Sequence, residues 1–141
     1  MWPSIYESRL TAWNDLRSRC QKLHIKSCLT EINQWWLAAP WCAYRLHWDD
    51  SSFWPDPWQL LEEKQFCSLA RGLGIMYTIC LLNREDLQDA TLVEVGNDNL
   101  VQVANKKYIL NWEADYLVSN QERYLRPRHC ITLKELKIRI G

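Results

Sequence analysis

Cys67 is the one side chain whose local setting would activate it for covalent chemistry. It falls near the start of a long predicted helix, and the partial positive charge of a helix N-terminus favours a thiolate there. A thiol nucleophile also needs a base beside it and a third group to orient that base. His24, His47 and His129 are the histidines, and Asn111 has the right type to be an orienting residue. All lie far from Cys67 in sequence, so only folding brings His47 or His129 to the sulfur. The plain reading of Cys67 is a buried, inert thiol on an apolar helix face.

Other candidate chemistry reads more simply as structure. Asp49-Asp50, Asp56 and Glu62-Glu63 concentrate carboxylates, as a paired-acid or metal site would. Asp56, however, stands directly before Pro57 and suits a helix cap, with Glu62 and Glu63 in that helix's early turns. Lys106-Lys107 and Arg126-Pro127-Arg128 are short basic pairs of the solvated kind. Cys20, Cys28, Cys42, Cys67, Cys80 and Cys130 form no C-x-x-C, and the histidines lack ligand spacing. No metal and no cofactor is therefore expected.

The elements that must position these residues come from a chain of 141 residues, a length suited to one domain over 1–141. Hydrophobic residues make up 48%, enough to fold. Lysine plus arginine balances aspartate plus glutamate at 17 each, which leaves no electrostatic footprint for nucleic acid or an anionic membrane. Met1-Trp2-Pro3-Ser4 runs straight into an amphipathic segment without a signal-peptide pattern, so reduced cysteines are expected. The longest apolar run, Leu73 to Leu82, is too short to span a bilayer.

Periodicity predicts a helix over about 4–23, with Ser4 as cap and Glu7 as its capping-box partner. A second begins at the cap Ser27 and ends before Pro40. An aromatic loop, Trp41 to Pro57, leads to a short helix over 57–64 and a longer one from about Phe66 to Leu82. In the latter Gly72 and Gly74 permit a close neighbour. Thr91–Val95 and Leu100–Val103 alternate around the turn Gly96-Asn97-Asp98-Asn99. Tyr108–Leu110 follows as a third strand. Glu122 to Leu125 is read as a turn of helix, and 131–140 as strand or helix. The expectation is an α+β fold: N-terminal helices on a three-stranded antiparallel meander, with a possible fourth strand at the C-terminus.

Tryptophan is the compositional outlier. Of the nine, eight (Trp2, Trp13, Trp35, Trp36, Trp41, Trp48, Trp54 and Trp58) precede residue 60, and Trp112 is the ninth. That exceeds what one small core hides, and tryptophan is enriched at interface hot spots. Trp41, Trp48, Phe53, Trp54 and Trp58 are the candidate partner-contacting or loop-anchoring residues.

Two resemblances add to this reading. A cysteine at a helix start followed by an antiparallel meander is similar to the order of elements in transglutaminase-like and papain-like cysteine folds, over about 57–112. Leu92-Val93-Glu94-Val95 resembles the strand that carries the catalytic histidine of transglutaminase-like domains, and Tyr108-Ile109-Leu110-Asn111 the strand ending in the orienting residue. The histidine that the resemblance implies, about three residues before Val-Glu-Val, is absent; Asp89, Ala90 and Thr91 stand there. Separately, His47-Trp48-Asp49-Asp50, Trp54-Pro55-Asp56-Pro57-Trp58-Gln59-Leu60-Leu61, Cys67 to Gly74 and Tyr77-Thr78 resemble a pattern in small tailed-bacteriophage proteins. That likeness implies a structural or assembly protein of a virion tail, neck or baseplate. It would be made in the host cytoplasm and held by other virion proteins in a hetero-oligomeric assembly. The alternatives are a cysteine hydrolase or transferase using Cys67 and Asn111, and a phage-encoded inhibitor of a host protein.

Overall fold

Two amphipathic helices open the fold, α1 over Tyr6–Cys20 and α2 over Ile25–Leu37. The structure, a computed structural model, describes residues 2–112, 118–119 and 127–140. Helix α1 buries Arg9, Trp13, Leu16 and Cys20, and α2 buries Cys28, Leu29, Ile32, Asn33 and Trp36, both at three-to-four spacing. Neither expected serine cap forms. Ile5 occupies the first cap position with no side-chain bond, because Arg9 draws the carbonyls of Pro3 (2.7 Å) and Ser4 (3.4 Å) onto its guanidinium. The second helix begins before Ser27, with His24 Nδ1 accepting from Lys26 N–H at 3.4 Å.

Helix α3, Pro57–Glu62, is capped as its sequence predicts. Asp56 accepts from Gln59 N–H, and Gln59 accepts from Asp56 N–H in return. Helix α4, Ser68–Leu82, is apolar almost all round, as befits a helix that α1, α2, α3, the sheet and a C-terminal helix enclose. It starts after Phe66, because Phe66 is extended in a parallel β-bridge to Trp41. A Cβ on Gly74 would lie 2.5 Å from Trp36 ring carbons, and one on Gly72 would lie 2.7 Å from Leu92. The two glycines admit those neighbours.

The meander is present: β1 (Thr91–Val95), β2 (Asp98–Val103) and β3 (Tyr108–Leu110) pair antiparallel. The turn is narrower than expected, since Asp98 and Asn99 already pair with Val95 and Glu94. Gly96 supplies the positive φ, +61°, that the tight turn needs. Two more strands complete the order β4-β3-β2-β1-β5, namely β4 (Val118–Ser119) and β5 (His129–Thr132). The C-terminal segment is strand and then helix, for β5 runs into α5 (Leu133–Ile140). The segment 122–125 lies outside the described residues. Register places Leu92, Val101, Leu110 and Ile131 side by side on the face toward the helices, while Val93, Leu100 and Ile109 form a second cluster on the opposite face.

Candidate functional site

The loop between α2 and α3 folds back over the start of α4 and the β1–β2 turn. Trp48 to Phe53 form a short 3-10 stretch. Its anchors are indole N–H bonds: Trp54 Nε1 donates to His47 O and Trp48 Nε1 to Asn99 Oδ1, both at 2.7 Å. The Trp48 and Trp54 rings meet edge to face. Between this loop and the sheet lies an open cleft of about 420 Å³, lined in part by Trp41, His47, Trp48, Cys67, Glu94 and Asn99.

Cys67 is the N-cap residue of α4, without a side-chain cap bond, and only 3% exposed. The next residue, Ser68, is fixed on both sides. Its hydroxyl accepts from Asn99 N–H (3.1 Å), and its carbonyl accepts from Asn111 Nδ2 (2.8 Å). Asn111 also donates through Nδ2 to Asn99 O (2.7 Å) and through its backbone N–H to Asn33 Oδ1 (2.8 Å). It therefore orients the β2–α4 junction, and it sits in the left-handed region, φ +65°, to do so. The strand ends beside α4 are those of Asn99 and Asn111. Ala90 lies instead just before the far end of β1, whose Thr91 pairs with Gln102.

The structure brings His47 to the cleft wall, its ring against Tyr44 at 4.2 Å. His129 stacks on Trp48, with centroids 5.3 Å apart and planes 9° from parallel. Its nitrogens face carboxylates: Nδ1 is 2.7 Å from Glu94 Oε1 and Nε2 4.0 Å from Asp49 Oδ1. Among the described residues, no hydrogen bond joins either imidazole to the Cys67 sulfur. Cys42 and the Arg71 guanidinium interact electrostatically with the Cys67 thiol. Burial lowers the Arg71 pKa, and the two thiols oppose that shift. Burial and Cys67 push the Cys42 thiol up against Arg45 and Arg71.

The candidate contact residues separate into two kinds. Trp41, Phe53 and Trp58 are 54%, 83% and 44% exposed. Trp54 is buried and Trp48 half-buried, and both anchor the loop rather than present it. Tyr44, also exposed, belongs with the first group and was not singled out by sequence. The Glu94–His129 pair was hidden too, because it depends on the β1–β5 register. Asp49 and Asp56 lie apart in role, for Asp56 is spent on its cap. Among the described residues no group of three or more His, Cys, Asp or Glu is placed to hold a metal ion, and no helix is long and apolar enough to cross a membrane. The chain matches no protein-family model, no curated protein and no solved structure.

Proposed function

We propose that this chain is an assembly protein that works by docking, with the aromatic loop after α2 and the first turn of α3 as its contact surface. The observation that carries the reading is the exposure of Trp41, Tyr44 and Phe53 on a loop that Trp48 bonds to Asn99 and Trp54 anchors in the core, with Trp58 exposed at the start of α3. Large rigid rings held ready at a surface lose little entropy on binding, and few residue types contribute more at an interface centre. The partner surface it suits offers apolar pockets rather than a charged face, given the balanced charge of the chain. The sequence likeness to small tailed-phage proteins supports a virion as the setting, with other virion proteins as partners.

The test is mass spectrometry of purified particles, with pull-down from infected cells by the wild-type chain and a Trp41→Ala/Phe53→Ala/Trp58→Ala variant. The chain is expected in the particle, and the variant is expected to lose its virion partner while keeping its fold. Absence from particles, or capture unaffected by the triple substitution, refutes the reading.

One observation favours the second reading, a Cys67 hydrolase or transferase: sulfur and His47 line the same cleft. Rapid labelling of Cys67 at neutral pH, far ahead of Cys20 and Cys28, with loss of a hydrolytic or transfer activity in both Cys67→Ala and His47→Ala, would favour it over docking.

A further inference from the structure

Two cysteines from different elements come together at the base of the aromatic loop. Trp41 and Phe66 pair as a parallel bridge, closed by Cys42 N–H donating to Phe66 O (3.1 Å) and Phe66 N–H to Pro40 O (2.7 Å). Cys42 and Cys67 are the next residue on each side of that pairing. Extended neighbours run about 4.8 Å apart, inside the Cα separation of about 4.4–6.8 Å that a disulfide spans. The Arg71 guanidinium interacts electrostatically with both thiols, and its Nε is buried and without a hydrogen-bond partner. Burial raises the Cys42 thiol and Arg71 and Arg45 only partly oppose it, so attack on a disulfide by its thiolate speeds as pH rises.

We propose that Cys42 and Cys67 are a redox pair that closes to an intramolecular disulfide on meeting a low-molecular-weight disulfide of the glutathione type. Cys42 is the more accessible of the two and reacts first. Its thiolate attacks one sulfur of the oxidant, whose S–S bond breaks. A mixed disulfide forms at Cys42, and one thiolate leaves and takes up a proton. The Cys67 thiolate then attacks the Cys42 sulfur and expels the second thiol. Two protein thiols have lost two electrons and two protons, and the oxidant has become two thiols. The new bond fastens the base of the aromatic loop to the start of α4. The inference does not depend on the docking reading.

Cys20 and Cys28 supply an internal comparison. They also lie close, with Cys20 Sγ 3.7 Å from Cys28 O, but both are fully buried and offer an oxidant no approach.

The experiment exposes the full chain to oxidised glutathione, quenches with iodoacetamide and reads intact mass and tryptic peptides. Cleavage after Lys26, Arg45, Lys64 and Arg71 puts Cys42 on peptide 27–45, with Cys28, and Cys67 on peptide 65–71. The expected result is loss of two of the six alkylatable thiols and a 27–45/65–71 cross-link whose fragments assign it to Cys42. Cys67→Ser is expected to stop at one glutathionyl group on Cys42, and Cys42→Ser to give no cross-link. Wild-type chain that keeps all six thiols, stops at the mixed disulfide, or links through Cys28 overturns the proposal.

Discussion

Replacing Thr78 by valine tests the central joint of the fold. The Thr78 hydroxyl, fully buried in α4, accepts from Trp13 Nε1 at 2.8 Å and from Trp36 Nε1 at 2.9 Å, and donates to Gly74 O at 2.8 Å. One donor and two acceptor positions are all that a hydroxyl has, so it is saturated. Valine keeps the shape and removes the acceptor, leaving two indole N–H groups buried without a partner. Each such orphan costs about 1–3 kcal/mol, and together about 2–6 kcal/mol. Gly74 O keeps its helical bond and adds little. Against a typical stability of about 5–15 kcal/mol, this is a large fraction.

The assay is urea unfolding followed by tryptophan fluorescence. With a slope of about 2 kcal/mol/M, the midpoint falls by about 1–3 M at unchanged slope. Thr78→Ser keeps the hydroxyl and loses one methyl, at a cost of roughly 1 kcal/mol. Trp13→Phe removes one of the orphaned donors, so its cost shrinks by about 1 kcal/mol or more in the valine background. A valine variant within about 0.5 kcal/mol of wild type, or a serine variant as damaged as valine, refutes the saturated-hub argument.

Three further outcomes are expected. Gly74→Ala forces a Cβ to 2.5 Å from a ring that Thr78 holds in place, while the Cβ of Gly72→Ala meets the end of Leu92. The first therefore lies at the upper end of the about 1–3 kcal/mol cost of overpacking and the second below it, as thermal unfolding by circular dichroism will rank them. Phe53→Ala, at 83% exposed, changes stability by no more than about 0.5 kcal/mol, and Trp54→Ala, at 9%, costs about 3–5 kcal/mol; equal effects in denaturant titrations contradict the division between presenting and anchoring rings. Burial pushes the Cys80 thiol up, only partly opposed by Lys137. The folded chain thus keeps a proton that the unfolded thiol, at about 8.5, gives up. The contribution is complete below that value and declines as pH rises above it, so Cys80→Ala should show a shallower alkaline loss of stability; parallel slopes for variant and wild type refute this.

What was legible in the sequence is what local chemistry decides. Asp56-Pro57 names its helix start because cap, proline and Gln59 are adjacent in the chain. The hairpin is legible because Gly96 stands between two alternating runs. The expected cap Ser27 fails locally, because the helix already starts at Ile25 with His24 as its cap, whereas Ser4 fails through a partner that local reading does not include. Arg9 reaches Leu61 O and Glu63 O at 2.9 Å as well as Pro3 O, and sets the entry to α1 from across the fold. The α5 start was available and missed: Thr132 and Glu135 form a capping box, with Thr132 Oγ1 taking the Glu135 N–H at 3.3 Å. The cleft was the least legible part. Its contacts, Trp48–Asn99, Glu94–His129 and Asn111–Ser68, join residues 51, 35 and 43 positions apart.

Four tryptophans tie their indole N–H into the fold, while Trp2 packs against the core with its indole N–H buried and unpaired. Trp13 and Trp36 spend theirs on Thr78, Trp48 on Asn99 and Trp54 on His47 O. Each of these rings is buried or half-buried, where an unpaired N–H would be costly. Among the described residues, no hydrogen bond engages the indoles of Trp41 and Trp58, which are also the two most exposed tryptophans. A ring that packed outward merely for want of room would be free to swing. Trp41 is not, since its backbone is bridged to Phe66 and the Arg71 guanidinium lies 4.9 Å from its ring. A ring restrained in this way, with its donor available and about half its surface exposed, would lose less freedom on contact with a partner than an unrestrained one.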